Sequence, residues 1–166
     1  MKYVSIVLIL LCLFLTACSP QTDIVKDSIP EETASVKSEE TADPISVAEL
    51  NEGCYEITVE SNSSMFRVIN CELMVEKEAM YAVMTMSGQG YGMLYMGTGE
   101  EALEDSEEEY ISFLLNEKGE KTFTVPVQAL NTETDCAAWS IKKEKWYDRV
   151  LVFQSDALPK NAFKTE

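Results

Sequence analysis

After residue 50, apolar and polar residues alternate along much of the chain with a period of two. Tyr55, Ile57 and Val59 are separated by polar residues, the pattern of a strand with one buried face. Asn62-Ser63-Ser64 reads as a turn. Alternation resumes over residues 66–75, with Cys71, Leu73 and Val75 on one face. Glu76-Lys77-Glu78 predicts a reversal, and residues 80–87 a further strand. Gly88-Gln89-Gly90 interrupts the pattern before a short strand at 91–96. Gly97-Thr98-Gly99 opens an acidic stretch, 100–109, read as a helical turn on a loop. Residues 110–115 and 121–127 flank Asn116-Glu117-Lys118-Gly119, a hairpin signal. Pro126 places the second of these strands at a sheet edge. Residues 134–141 and 149–154 complete the set. Eight or nine short strands, regular turns and almost no helix predict an all-β sandwich. Periodicity alone leaves a barrel open.

The texture before residue 50 is different. Met1-Lys2 is a short positive start, residues 4–15 are largely apolar, and Leu15-Thr16-Ala17-Cys18 follows. That order describes a secretory signal, and its apolar run is shorter than the about 20 residues of a membrane span. Leu-Thr-Ala-Cys looks like a bacterial lipobox, in which the cysteine is acylated and becomes the first mature residue. Residues 1–17 are therefore expected as a lipoprotein signal peptide, with Cys18 as the lipidation site. Acyl chains contribute roughly 0.8 kcal/mol per buried methylene, so the mature chain is expected on the extracytoplasmic face of the cell membrane. Residues 18–49 are rich in Ser, Thr, Pro, Glu and Asp; they are expected as the anchor and a disordered acidic tether. The sandwich is expected at 50–155 and a loose tail at 156–166.

Composition narrows the function. The 166 residues contain 13 Lys plus Arg, 29 Asp plus Glu and no His, giving a formal charge of −16. A nucleic-acid partner needs a basic footprint, so none is expected. Without His there is no Ser-His or Cys-His pair, and a catalytic zinc site would be uncommon. No nucleophile-base pair is visible, so the protein is not expected to be an enzyme, and no metal site is expected. Met80, Met84 and Met86 fall at even spacing and read as a packed strand face rather than a copper site. The acidic run lacks the grammar of a calcium loop and reads as a solvated segment. Gly88-x-Gly90 and Gly97-x-Gly99 lack the context of a nucleotide fingerprint.

Three cysteines, Cys54, Cys71 and Cys136, follow the anchor. Cys71 and Cys136 lie in predicted strands in line with apolar neighbours, and a disulfide between them is favoured. Closing a loop of about 65 residues would contribute roughly 4 kcal/mol in the chain-entropy model. The alternative is three reduced, buried thiols.

The candidate ligand-binding residues come from three clusters. The first gives Ser64 and Met65, the second Tyr91 and Tyr95. The third gives Trp139, Lys142, Lys143, Trp146, Tyr147 and Arg149. Residues 142–149 form the one basic stretch in a very acidic chain. Cations beside Trp and Tyr suit a flat, anionic ligand through charge pairing and stacking. The alternative is a hairpin loop with solvated charges and an aromatic that caps the core. A rival function is a protein-interaction module, docking through Trp146 and Arg149 onto a transporter or envelope partner.

The order of several short motifs resembles the near-iron-transporter (NEAT) domains of Gram-positive surface proteins. Gly53-Cys54-Tyr55 matches their opening Gly-x-Tyr strand, and Ser64-Met65-Phe66 their Ser-Met segment. Leu73-Met74-Val75 looks like their Leu-x-Val strand. Residues 123–127 with Leu130 are similar to their Phe-x-Val strand and following Leu. Tyr147-Asp148-Arg149 and Phe153 resemble their final hairpin. The resemblance implies an immunoglobulin-like β-sandwich that binds haem for iron uptake. It implies a short helix at Ser64-Met65 over one haem face, and Tyr147 at the iron-ligating position. Leu151 stands where the family motif has a second Tyr. Residues 90–98 and 146–149 also look like recurring motifs of small clostridial-type lipoproteins that share the sandwich.

Overall fold

The computed structural model describes residues 42–165. In chain order these form β1 (Ile45–Ser46), a 3-10 turn (Val47–Glu49), β2 (Gly53–Ser61), β3 (Val68–Val75), β4 (Met80–Met86) and β5 (Tyr91–Tyr95). Helix α1 (Gly99–Glu104), a 3-10 turn (Glu107–Glu109), β6 (Ile111–Ser112), β7 (Leu114–Leu115) and β8 (Lys121–Val127) follow. The chain ends with β9 (Ala129–Leu130), β10 (Glu133–Ser140), β11 (Lys145–Gln154) and a 3-10 turn (Lys160–Ala162).

Nine strands make one antiparallel sheet in the order β6-β5-β10-β11-β2-β3-β4-β8-β7. β2 joins its two halves: residues 53–57 pair with β3, and residues 58–61 with β11. At the two ends, β6 and β7 are separated in sequence by Phe113 alone, so the sheet nearly closes on itself. Phe113 packs edge-on against Phe123 of β8, with ring centroids 6.3 Å apart. The expected all-β sandwich is therefore observed, and the barrel reading survives only in this near-closure. One core fills it, with Leu73, Met84, Phe123, Val125, Leu151 and Phe153 fully buried. Met80, Ala82 and Met84 alternate inward along β4, so the evenly spaced methionines pack the core. Pro126 pairs with Tyr81 of β4, while β7 reaches only Lys121 and Thr122 on the other side. Its missing N–H thus falls on an unpaired edge.

Four expectations are corrected. Order begins before residue 50: β1 pairs with β9, and the Asn131 side chain donates to the Asp43 carbonyl at 2.9 Å. Residues 156–165 are not a loose tail. Phe163 bridges to Leu50, Ala162 is fully buried, and the Asn51 amide donates to the Asn161 and Phe163 carbonyls. Backbone pairing with residues 47–51 holds this polar segment down where composition alone reads as loose. The Cys71–Cys136 disulfide is not formed; Cys54, Cys71 and Cys136 are free thiols. Cys71 and Cys136 sit on strands three steps apart in the sheet order, each packed among apolar side chains. Finally, β11 begins at Lys145, because β10 stays paired as far as Ser140. The basic stretch is mostly strand, and only residues 141–144 form the hairpin tip. The signal peptide, Cys18 and most of the tether lie outside the described residues.

Candidate ligand-binding cavity

The pleat of the β10–β11 hairpin decides which candidate residues meet. Leu151 and Phe153 point into the core, so Tyr147 and Arg149, four and two residues before Leu151, share that inner face. Across the ladder, Cys136 opposes Arg149, Ala138 opposes Tyr147, and Ser140 opposes Lys145. Trp146 and Asp148 have the opposite parity and face outward, with Trp139 paired to Trp146. Parity also places Tyr91 and Tyr95 on one face of β5, yet they separate. The register shifts between Trp139 and Ser140, so Tyr91 comes opposite Ser140 and packs against the core phenyl of Phe66 at 5.5 Å.

The inner face opens into a cavity of about 510 Å³. Tyr91, Tyr147, Met65 and Met86 supply its apolar and aromatic lining. Arg67, Lys142, Lys143 and Arg149 supply four cations, with Ser87, Gly88, Gly90 and Ser140 between them. Met86 is buried, whereas Met65 is 79% exposed at the rim. Arg149 is the centre of the polar network. Its Nη2 donates to the Tyr91 hydroxyl at 2.9 Å and its Nη1 to the Asp148 carbonyl at 2.6 Å. Among the described residues the buried Nε has no partner, a donor left for an added acceptor. The guanidinium carbon lies 5.3 Å from the Tyr147 ring centroid, and the Lys145 ammonium 4.5 Å from it. Two cations therefore flank one phenol ring.

The wall at residues 89–91 is held from below. Lys121 is only 4% exposed, and its ammonium donates to the Gln89 and Tyr91 carbonyls at 3.0 and 2.6 Å. It also sits 4.0 Å over the Phe113 ring. Burial lowers its pKa from the ordinary 10.5. Opposite this wall, Ser64-Met65 forms a single turn closed by the Phe66 N–H on the Ser63 carbonyl. The helix that the family resemblance implies is absent there. Phe66 is buried and pins the segment, leaving too few residues before β3 for a helix.

Of the ten candidate residues, Met65, Tyr91, Lys142, Lys143, Tyr147 and Arg149 line this cavity. Ser64 is exposed beside it. Trp139 and Trp146 line a separate concavity against α1, and Tyr95 lines a third with Tyr110 and Pro126. The Tyr95 hydroxyl donates to Asp105 at 2.9 Å, which raises its pKa. Trp146 and Arg149, the two residues of the docking alternative, lie on opposite faces of β11. Arg67 and Met86 escaped the sequence reading. Arg67 lies two residues past Met65 and was legible as a cation beside the first cluster, whereas Met86 reads only as core.

No protein-family model matches this sequence, and no curated protein matches it. Among solved structures, the chain is similar to the NEAT5 domain of IsdX2, a B. anthracis hemophore in complex with heme, with a TM-score of 0.47 and 12% identity. The similarity covers 66% of this chain and 99% of that one.

Proposed function

We propose that this protein is a lipid-anchored, extracytoplasmic binding module whose inner cavity takes a flat anionic ligand, with haem as the candidate cargo for iron uptake. One observation carries the reading: four cations and two tyrosines surround a cavity of about 510 Å³ in a chain of net charge −16. A charge-inverted, aromatic-lined cavity favours an anionic, planar guest over a neutral or cationic one.

The residues present fit haem in a particular way. With no imidazole in the chain, a phenolate is the oxygen donor available for ferric iron. Tyr147 lines the cavity between Arg149 and Lys145. Arg67, Lys142 and Lys143 supply charge for carboxylates at the rim. Leu151 is buried in the core, so the orienting group four residues on is missing, and Arg149 is the neighbour that shares the face with Tyr147.

The test is a hemin titration of the full chain followed at the Soret band. The expected outcome is a saturable shift that Tyr147→Phe weakens by tenfold or more, about 1.4 kcal/mol. Free-hemin absorbance at excess protein, or a shift indifferent to Tyr147→Phe, contradicts the role given to Tyr147.

A further inference from the structure

The outer face of the β10–β11 hairpin carries chemistry opposite to that of the inner one. A concavity of about 520 Å³ lies between this face and α1. Trp139 and Trp146 stand on it as a cross-strand pair, ring centroids 5.4 Å apart and inclined at 67°. Leu103 of α1, 73% exposed, adds apolar surface.

Three carboxylates line the same concavity: Glu100, Glu144 and Asp148. Lys145 is the one cation in the lining, and its ammonium is drawn over the Tyr147 ring at 4.5 Å. The hairpin tip sorts its charges by side. Lys142 and Lys143 line the inner cavity, while Glu144, in the left-handed region at φ 51°, lines the outer one. Asp148 is held in place, with one carboxylate oxygen accepting the Gly99 N–H at 2.6 Å. Gly99 permits that approach, since a Cβ there would lie 2.8 Å from the Trp146 Cβ.

Aromatic faces beside carboxylates, of which Asp148 is held in place, attract an organic cation by ring quadrupole and by charge together. We propose that this outer concavity is a second binding site, for a small organic ammonium ion held against Trp139 and Trp146 with Glu100, Glu144 and Asp148 as counter-charge. The site is independent of the inner cavity and does not rest on haem binding there.

Both tryptophans of the chain are at this site, so intrinsic fluorescence reports on it directly. The full chain is titrated with choline and, separately, with 3,3-dimethylbutanol, its uncharged isostere. The expected result is a saturable change in tryptophan emission with choline, and binding at least about tenfold weaker for the isostere. The double variant Glu100→Gln/Glu144→Gln changes two exposed side chains and is expected to bind choline on the order of tenfold more weakly with an unchanged near-UV spectrum. No saturable response to choline, equal affinity for the neutral isostere, or wild-type affinity in the double variant overturns the proposal.

Discussion

Lys121 carries its ammonium into the wall of the cavity with two carbonyls and a phenyl ring as partners. Hydrogen bonding offsets part of the desolvation that lowers its pKa. The buried thiols behave in the opposite sense. Burial pushes Cys71 and Cys136 from the ordinary 9.0 up to about 12, with Arg149 pulling Cys136 back slightly. A group whose folded pKa is raised contributes stability that is complete below its unfolded value and lost as pH climbs through the folded one. Both thiols therefore predict alkaline destabilisation between about 9 and about 12. Lys121 works against this trend, because its burial cost falls as pH approaches 10.5. Urea unfolding across that range is expected to show the loss, and Cys71→Ala/Cys136→Ala is expected to flatten it while lowering stability at neutral pH. An unchanged slope in the double variant assigns the alkaline loss elsewhere.

At the scale of elements, period-two alternation was a reliable guide where both neighbours of a strand are regular. β2, β3 and β4 follow it, and their inward residues are the core. Alternation also contains the information that Trp146 and Tyr147 face opposite ways, yet grouping residues by proximity in sequence merged them into one site. The parting of Tyr91 from Tyr95 was not legible, because it depends on a register shift set by the partner strand. Nor was the disulfide, since Cys71 and Cys136 fit a buried face equally well as thiols. Helix α1 was foreseen as a helical turn, and its capping box explains why it forms: Thr98 Oγ1 accepts from the Glu101 N–H, and the Glu101 carboxylate accepts from the Thr98 N–H. Its seat on the hairpin depends on Gly99. Gly99→Ala is expected to cost about 1–3 kcal/mol through overpacking against Trp146, read from a urea unfolding curve. A wild-type midpoint would show that the helix can shift without cost.

Across the whole molecule, charge is partitioned rather than diffuse. The chain is strongly acidic, and its four cavity cations are concentrated on the inner face of one hairpin and the turn beside it. The ends of the domain are clasped together, with Lys164 donating to the Val47 and Ala48 carbonyls and Leu50 bridged to Phe163. Deleting residues 156–166 exposes Leu50 and removes the buried Ala162. The expected loss is roughly 2–4 kcal/mol, seen as a lower Tm, and an unaltered Tm would make the clasp incidental. Composition could not reveal it, because its stabilising contacts are largely backbone carbonyls.

The central claim is that the inner cavity selects a flat guest by its negative charge. Comparing the Kd of the full chain for hemin with that for hemin dimethyl ester, which keeps the ring and iron but masks both carboxylates, tests it most directly. The cavity cations predict that the ester binds at least about tenfold more weakly, with the gap narrowing as salt is raised. Equal affinities at low salt, or no saturable binding of hemin, would contradict the account.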